Sequence, residues 1–323
     1  MKFSVIIPAY NCESTINATL DSVFRQTQSP FEILVMDDGS TDCTPALLRE
    51  HASRVSIFTQ PNAGLGGAKD ALCRRVSGDI IAVIDSDDLW HPRYLEVQRQ
   101  LIERYNPNAV AYFTGHVVFE ASRDYQWAFD PLEGGAEART IEPRRFIEEY
   151  NAAPGPFVPS SCCIPTHIVR ELGPEAFKQR KAEDLYFFNR VGLLGPVVFS
   201  PQELMAYRVR ADSLSANQLL LSEAEVGAFE LLEERYGARI HGSSLSGGFR
   251  GGFAMKRRKY AKALMGAKRS SEARRQLLLS FGNSLEISSI TKSSALLAAT
   301  WLPRGLQPSW PKAGQDPRLK ACA

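Results

Sequence analysis

Hydrophobic and polar residues follow two alternating patterns along the first ninety residues. Short runs of mostly β-branched residues predict buried strands at residues 5–9, 31–36, 55–58 and 80–84. Between these runs, apolar residues recur at the spacing of an amphipathic helix, as in Ile16, Leu20 and Val23. Strands that alternate with helices at this interval form βαβ units, so the pattern predicts an α/β fold with a parallel, doubly wound sheet.

The pattern is less regular after residue 90. A helix is predicted from Pro92 to about Tyr105, and another is predicted to begin near Lys181. Further strands are predicted at residues 109–113, 117–119, 160–164, 197–199 and 204–209. We therefore expect an α/β domain over residues 1–220, a helical extension over residues 221–302, and a Pro- and Gly-containing tail, 303–323, that is disordered.

The overall composition is that of an ordinary globular protein. Of the 323 residues, 44% are hydrophobic and 23% are charged, and the net charge of +2 gives no reason to expect a nucleic-acid partner. No apolar run approaches the ~20 residues of a membrane-spanning helix, and the N-terminal run, interrupted by Pro8, is interpreted as a strand and not as a signal peptide. The six cysteines show no CxxC spacing, so we expect reduced thiols, no zinc site and a cytoplasmic location.

The strongest candidate for chemistry follows the predicted strand at residues 80–84. Asp85, Asp87 and Asp88 place three carboxylates within four positions, at the sheet edge where α/β proteins bind ligands. On an extended chain, Asp85 and Asp87 would point to one side and Asp88 to the other. Clustered carboxylate oxygens suit Mg²⁺ or Mn²⁺, the usual partners of phosphates, whereas a solvated acidic turn that caps the next helix is the alternative.

Two common phosphate-binding motifs are missing from the sequence. The first predicted strand ends in Pro8-Ala9-Tyr10-Asn11, which is not the GxGxxG of a dinucleotide-binding fold. The glycine-rich segment at residues 64–67 lacks the Lys-Ser/Thr ending of a P-loop. Neither motif therefore explains how the chain would bind a phosphate.

Several segments instead occur together, in one order and at consistent spacing. They are VIIPAYN at 5–11, QT at 26–27, EILVMDDGSTD at 32–42, NAGLGGA at 62–68 and GDIIAVIDSDDLWHP at 78–92, with weaker matches in ED at 183–184 and YRVRADSLS at 207–215. With these motifs the chain resembles the family 2 glycosyltransferases of the GT-A fold over the first two-thirds of its length. The resemblance implies a Rossmann-like mixed sheet flanked by helices, with a nucleotide-sugar-binding half at residues 1–90 and an acceptor-side half at 91–220.

The resemblance implies which residues bind the base of the donor. Pro8, Ala9 and Tyr10 would receive a uracil ring, and Tyr10 would offer it a stacking face; a position in the core is the alternative for this tyrosine. Asp38 would hydrogen-bond the base. Asp37 is interpreted as a turn or capping residue.

The resemblance also assigns the acids that carry the chemistry. Asp85 and Asp87 would hold the ribose and the sugar diphosphate, and Asp87 and Asp88 would bind Mn²⁺ or Mg²⁺, which neutralises the diphosphate leaving group. Asp184 matches the family's general base, and direct displacement at the anomeric carbon would invert its configuration. The alternative is that Glu183 and Asp184 only favour a helix N-terminus electrostatically.

One position departs from the pattern of the family. Many relatives have a histidine where this chain has Arg210, in the segment Tyr207-Arg208-Val209-Arg210. Arginine does not bind metals, but its planar fork suits a diphosphate, so Arg208 or Arg210 is expected to share the charge of the leaving group. The alternative is an exposed charge on a strand.

The activity implied by the resemblance is a metal-dependent, inverting transfer of a sugar from a nucleotide-sugar, preferentially a UDP-sugar, to a saccharide or lipid-linked acceptor. Synthesis of cell-surface polysaccharide or glycan is the expected context. The acceptor is expected near residues 112–165, where Trp127 and Phe129 would stack on a sugar or fill a core. Two alternatives are a catalytically silent nucleotide-sugar-binding protein and a sugar nucleotidyltransferase, although the latter class has a Gly-rich, basic loop directly after the first strand.

The predicted helical extension is strongly basic. Residues 250–275 include ten Lys or Arg residues and one acid, Glu272, with apolar residues between them. A basic amphipathic segment can lie on an anionic membrane face, so residues 250–279 are expected to make a peripheral membrane contact that would suit a lipid-linked acceptor. A helical hairpin with a solvated basic face is the alternative.

Overall fold

The structure is a computed structural model of the chain. It describes residues 1–106, 108–120, 125–127, 137–152, 155–177, 179, 181–209, 217–283 and 287–301. Arg210, Phe129 and the predicted tail, 303–323, lie outside the described residues. The chain divides into two compact units, which are Met1–Phe146 with Pro154–Val209, and Ile147–Ala153 with Arg210–Ala323.

The first unit contains a sheet, and nine of its strands fall within the described residues. The strands are β1 Phe3–Ala9, β2 Glu32–Asp37, β3 Ser56–Thr59, β4 Ile80–Val83, β5 Leu89–Trp90, β6 Ala111–Glu120, β7 Arg139–Ile141, β8 Cys162–Pro165 and β9 Val197–Val209. Their order is β3-β2-β1-β4-β8-β6-β9-β5, and β7 pairs with β9. Strands β1, β2 and β4 are fully or almost fully buried because helices cover this part of the sheet, as expected of parallel strands.

The first half of the sheet is parallel throughout, whereas the second half mixes antiparallel pairs with the parallel pair of β6 and β9. Strands β1 to β4 pair in parallel, as predicted, but β8 is antiparallel to both β4 and β6. The simple parallel sheet expected from the alternating pattern is therefore wrong beyond β4, and the mixed sheet implied by the family resemblance is confirmed. The reason is that the later segments no longer follow a regular strand–helix alternation.

Two pairs of predicted strands are each a single strand. Strand β6 covers the end of 109–113, from Ala111, and all of 117–119, and β9 covers both 197–199 and 204–209. The register of the β6–β9 pair shifts around Gly115, where a Cβ would lie 2.6 Å from the carbonyl oxygen of Pro201. This irregularity interrupts the apolar alternation but does not end the pairing, so the sequence pattern divides a continuous strand.

Helices cover the sheet of the first unit. They are α1 Ile16–Phe24, α2 Thr44–Glu50, α3 Gly64–Cys73, α4 Tyr94–Arg104, α6 Thr166–Leu172 and α7 Glu183–Leu194, with a short 3-10 turn at Pro159–Ser161; α5, Pro143–Asn151, begins in the first unit and ends in the segment that belongs to the second. Helix α3 begins at Gly64 and not near Ala68 as predicted. The glycines that suggested a loop are in fact its first turn.

The second unit is helical over its described residues. Its helices are α8 Gln218–His241, α9 Ser246–Gly266, α10 Ser270–Asn283 and α11 Ile287–Ala299. Phe229, Phe249 and Phe253 form its aromatic centre, with ring centroids 4.9 to 6.3 Å apart. Several cations of the basic segment form ion pairs inside the unit, including Arg257 with Glu230 at 3.1 Å. In the described part of the chain, no helix is both long enough and apolar enough to cross a membrane.

Candidate functional site

The carboxyl ends of three parallel strands meet at one edge of the sheet. Strand β1 pairs with β2 on one side and with β4 on the other, so the loops after Ala9, Asp37 and Val83 are neighbours. Pro8 and Ala9 are buried, whereas 49% of Tyr10 is exposed at the end of β1. A core position for Tyr10 is therefore excluded, and its ring is accessible to a ligand.

The loops that follow β1 and β2 are fixed to each other by hydrogen bonds. Asn11 has a φ of 46°, in the left-handed region, and its Oδ1 accepts a hydrogen bond of 2.8 Å from the Thr41 amide. The Asn11 amide in turn donates to Ser40 Oγ at 3.1 Å, and the Ser40 amide donates to Asp37 Oδ1 at 2.9 Å. Asp37 therefore stabilises the turn, as the sequence suggested, and Tyr10 precedes a well-ordered backbone.

The carboxylate of Asp38 holds the start of helix α3. Asp38 Oδ1 accepts hydrogen bonds from Gln60 Nε2 at 2.7 Å and from the Ala63 amide at 2.9 Å, and Oδ2 accepts one of 2.8 Å from the Gly64 amide. An acid at a helix N-terminus satisfies amides that have no partner within the helix. The structure thus gives Asp38 a positioning role that the sequence did not suggest, and its contact with a base stays a prediction.

The segment from Asp85 to Asp88 is a tight turn. The Asp88 amide donates to the Asp85 carbonyl oxygen at 3.1 Å, so the chain is not extended here and the predicted alternation of side chains does not apply. Thr15 Oγ1 donates to the Ser86 carbonyl at 2.9 Å, and Thr19 Oγ1 donates to the Asp88 carbonyl at 2.9 Å. Helix α1 therefore holds this acidic turn from one side.

Asp88 is the most buried acid of the turn, with 1% of its surface exposed. Ser160 Oγ donates to its Oδ2 at 2.6 Å, and the Arg208 amide donates to its Oδ1 at 3.1 Å. Burial, followed by the charges of Asp87 and Asp85, raises the pKa of Asp88 well above its ordinary value. A cation bound here would offset this concentration of negative charge.

Arg208 supports the same turn from strand β9. Its Nε donates to the Asp87 carbonyl oxygen at 2.8 Å, and its guanidinium carbon lies 4.6 Å from the centre of the Phe119 ring. The guanidinium thus lies beside the acidic turn. Arg208 is therefore not an isolated, exposed charge on a strand. Arg210, the other arginine of this motif, lies outside the described residues.

Helix α7 begins with the two acids that the sequence singled out. Glu183 is 4% exposed, and Asp184 is partly exposed in the same first turn. Ala182, directly before the helix, has a φ of 53°, a left-handed conformation that costs an alanine on the order of 1 kcal/mol. Strained backbone of this kind is concentrated at functional sites, which favours more than a capping role for this turn.

Lys69 connects the acidic turn to helix α7, and sequence reasoning missed it. Its ammonium lies 3.2 Å from Asp85 Oδ1 and 2.9 Å from Glu183 Oε1, and 1% of its side chain is exposed. Burial opposes the charge on Lys69, but Asp85 and Glu183 outweigh it and raise the pKa of the ammonium. Burial also raises the pKa of Glu183 to about 7, against the lowering effect of Lys69. We take Lys69 to be charged and shared between the two carboxylates.

The acids of this edge suit a divalent cation only together with a substrate. Within the described ranges, no three His, Cys, Asp or Glu side chains are grouped as a metal centre of the protein alone would require. Mg²⁺ and similar ions are, however, commonly bound by one or two carboxylates and the phosphates of the substrate. Asp87 and Asp88 are a donor set of that kind, and because burial and the charges of Asp87 and Asp85 raise the pKa of Asp88, a cation bound beside it would favour its ionised form.

A cluster of aromatic residues surrounds Trp127 in the first unit. The Trp127 ring meets His91 and Tyr125 edge-on, with centroids 5.0 and 4.8 Å apart, and Tyr125 lies 5.0 Å from Phe119. Trp127 is partly exposed, so the ring is packed on its edges and still accessible. The packing of Trp127 is compatible with both interpretations, and its stacking on a sugar stays a prediction.

Known proteins with similar sequences are named as glycosyltransferases. Residues 4–164 match the family described as Glycosyl transferase family 2. The chain is 40% identical over 105 residues to WfgD of Escherichia coli, named a UDP-Glc:alpha-D-GlcNAc-diphosphoundecaprenol beta-1,3-glucosyltransferase, a match that covers 32% of this chain and 42% of WfgD. It is 34% identical over 219 residues to the putative glycosyltransferase EpsE of Bacillus subtilis, which covers 66% of this chain and 74% of EpsE.

The fold agrees with these sequence matches. The mannosyltransferase PcManGT from Pyrobaculum calidifontis, solved in complex with GDP-Man and Mn²⁺, superimposes with a TM-score of 0.54 and 17% identity over 93% of this chain and 85% of that protein. Because the match to WfgD covers less than half of that enzyme, its substrates do not follow for this chain. The match to EpsE, the family match and the shared fold together show that the chain belongs to the family 2 glycosyltransferases.

Proposed function

We propose that the first unit transfers a sugar from a nucleotide-sugar, preferentially a UDP-sugar, to a hydroxyl of a saccharide or lipid-linked acceptor, with inversion at the anomeric carbon. The observation that carries the proposal is the Lys69 bridge, which brings the helix of Asp184 to the acidic turn at the sheet edge. The name of WfgD, which contains both a UDP-sugar and a diphospholipid acceptor, supports the choice of substrates. Synthesis of cell-surface polysaccharide or glycan is the proposed context.

The donor would bind across the carboxyl ends of β1, β2 and β4. Tyr10, exposed after Pro8 and Ala9, offers a ring face to the base, and Asp38 lies at the neighbouring strand end. Asp85 and Asp87 would accept hydrogen bonds from the ribose and face the sugar diphosphate. The tight loops at this edge keep these groups in place before the donor arrives, which lowers the entropy cost of binding.

The transfer step would use the partly exposed acid of α7. Asp184 would accept the proton of the acceptor hydroxyl while the hydroxyl oxygen forms its bond to the anomeric carbon and the bond to the nucleoside diphosphate breaks. Arg208, and Arg210 beside it in the sequence, would share the charge of the departing diphosphate. Asp87 and Asp88 would hold a Mn²⁺ or Mg²⁺ ion, which supplies Lewis-acid stabilisation of the diphosphate when bound.

The basic helices would place the enzyme on the cytoplasmic face of a membrane. In α10, Leu278 and Leu279 are 59% and 42% exposed, close to the cations of the 250–279 segment. Apolar and cationic groups together favour an anionic lipid surface. Sedimentation with vesicles of anionic phospholipid tests this, and equal sedimentation with neutral vesicles would contradict it.

The experiment for the reaction itself is nucleotide release from UDP-, GDP- and dTDP-sugars, each with Mn²⁺, with Mg²⁺ and with a chelator. We expect metal-dependent release from one donor and a loss of at least about 100-fold in Asp184→Asn, because general-base catalysis contributes on the order of 100- to 10,000-fold. Asp21→Asn is the matched control, since Asp21 is an exposed acid of α1. Nucleotide binding without release from any donor, with or without acceptor sugars, would favour the silent binding protein.

A further inference from the structure

Lys69 lies between the acidic turn and helix α7 and pairs with one acid of each. Asp85 Oδ1 is buried and accepts no hydrogen bond from the described residues, so the ammonium 3.2 Å away supplies its counter-charge. The same ammonium makes a hydrogen bond of 2.9 Å to Glu183 Oε1. Two segments far apart in the sequence thus share one buried charge.

Helix α3, which carries Lys69, also touches the backbone that leads into α7. A Cβ on Gly66 would lie 2.0 Å from the Phe177 carbonyl oxygen and 2.2 Å from that of Gln179. Asp70 Oδ1 accepts a hydrogen bond of 3.0 Å from the Phe177 amide. The approach to α7 is therefore held against α3 over several residues, and only a glycine at position 66 permits this distance.

The N-terminal end of α3 is fixed at the edge where the base is proposed to bind. Asp38 accepts hydrogen bonds from the Ala63 and Gly64 amides at the start of the helix. Helix α3 consequently connects the loop after β2, the acidic turn after β4 and the first turn of α7. These are the three places that the proposed function assigns to the base, the diphosphate and the general base.

We infer that Lys69 is a positioning residue of the transfer reaction, whose ammonium holds Asp85 and the first turn of α7 at a fixed separation so that Asp184 meets the anomeric carbon of the bound donor. The inference rests on the proposed function. Lys69 is buried and does not touch the substrates in this role. A displacement of about 1 Å between reacting groups costs on the order of 100-fold in rate, so the role predicts an effect on kcat more than on donor affinity.

The test is the kinetics of Lys69→Met with the donor found in the release assay. Methionine keeps an unbranched apolar side chain and removes the charge. We expect kcat to fall on the order of 100-fold, with a change in the donor KM of less than about tenfold. The control is Lys256→Met, the same exchange at a lysine of the second unit that pairs with Glu225 at 2.9 Å; its side chain is buried, so it is not one of the surface cations of the proposed membrane contact. Its kcat should stay within about twofold of the unchanged chain.

Two further variants separate positioning from stability. Glu183→Gln keeps an acceptor for Lys69 and removes a buried negative charge, so it should fold even where Lys69→Met does not, with kcat reduced about tenfold. Combined with Lys69→Met, it removes one of the two carboxylates left without a partner, so thermal stability should recover in part while kcat stays low.

Several outcomes would overturn the inference. An unchanged kcat in Glu183→Gln would do so, as would an unchanged kcat in a folded Lys69→Met. Parallel recovery of kcat and stability in the double variant would reduce Lys69 to a structural role. Failure of the proposed function is distinguishable, because the unchanged chain would then release no nucleotide from any donor; that result would remove the inference as well.

Discussion

Two buried lysines, one in each compact unit, show opposite ratios of cation to carboxylate. In the first unit a single ammonium, that of Lys69, forms ion pairs with two carboxylates, those of Asp85 and Glu183. In the second unit a single carboxylate, that of Glu225, forms ion pairs with Lys256 at 2.9 Å and with Lys259 at 2.8 Å. Lys69 and Lys256 have 1% and 5% of their side chains exposed, so the two clusters differ in charge balance more than in burial.

The difference in balance appears in the pKa values of the two glutamates. Burial raises the pKa of Glu183 to about 7 against the lowering effect of Lys69, and the charges of Asp184 and Asp85 add to the rise. Burial acts in the same direction on Glu225, but its two lysines outweigh it and lower the pKa. The helical unit thus compensates its buried acid, whereas the sheet edge keeps an excess of negative charge. Such an excess is typical of sites that bind a cation or a charged substrate and are not optimised for stability.

The largest effects on stability are expected when Lys69 and Lys256 are replaced one at a time. Lys69→Met leaves two buried carboxylates without their cation and should lower the free energy of unfolding by about 3–5 kcal/mol. Lys256→Met leaves Glu225 paired with Lys259 and should cost less, about 1–2 kcal/mol. Urea denaturation of both variants measures the difference. Equal losses would mean that charge balance does not distinguish the two units.

The glycines of the two units should also respond in opposite directions. Gly66→Ala would place a methyl group against two backbone carbonyls and should destabilise the chain by about 3 kcal/mol. Gly227→Ala on α8 meets no atom within 4 Å and should stabilise by about 0.5–1 kcal/mol, because alanine is the better helix former. Thermal unfolding of the two variants tests this. Stabilisation by Gly66→Ala would show that α3 does not pack against the carbonyls of Phe177 and Gln179 as described.

The contributions of Glu183 and Glu225 to stability should change with pH in opposite directions. These changes should be smaller than the effects of the lysine and glycine variants. The folded-state pKa of Glu183 is raised from 4.5 to about 7, so its contribution to stability falls as pH rises through this range. The folded-state pKa of Glu225 is lowered, so its contribution is present above pH 4.5 and is lost as pH falls below it. The difference in unfolding free energy between the unchanged chain and Glu183→Gln should fall by about 1–2 kcal/mol from pH 5 to pH 7. For Glu225→Gln it should fall towards acidic pH; curves that run in parallel would contradict the comparison.

The acids of the site were predictable from the sequence, but the cation between them was not. Asp85, Asp87 and Asp88 follow an apolar strand, and strand ends define the edge where α/β proteins bind ligands. Lys69 follows three small residues on a short helix, and a lysine is ordinarily exposed. Its burial depends on how closely α3 approaches Phe177, Gln179 and Glu183, which is a tertiary contact. The small residues Gly66, Gly67 and Ala68 were the available signal, since they permit close packing.

The later half of the sheet was less predictable for a similar reason. Strands β1 to β4 alternate with helices, so local pattern and topology agree. Strand β9 instead pairs with β6, with a register shift near Gly115. No local sequence pattern predicts which strand β9 pairs with. The role of Asp38 as the acceptor for α3 was missed because Gly64 and its neighbours suggested a loop. Pattern predicts elements well where neighbours in sequence are neighbours in space.

Strand β9 has a consequence for how the chain is synthesised and folds. It is the last strand of the described sheet to leave the ribosome, yet it lies between β6 and β5 and also pairs with β7. Until residue 209 has emerged, β5, β6 and β7 each present an edge without its final partner, and unpaired edges are prone to association. Closing the β6–β9 pair joins segments some 80–90 residues apart, which slows folding of the unit. A chain that terminates before β9 would therefore keep the acidic turn and lose the strand that completes the sheet around it.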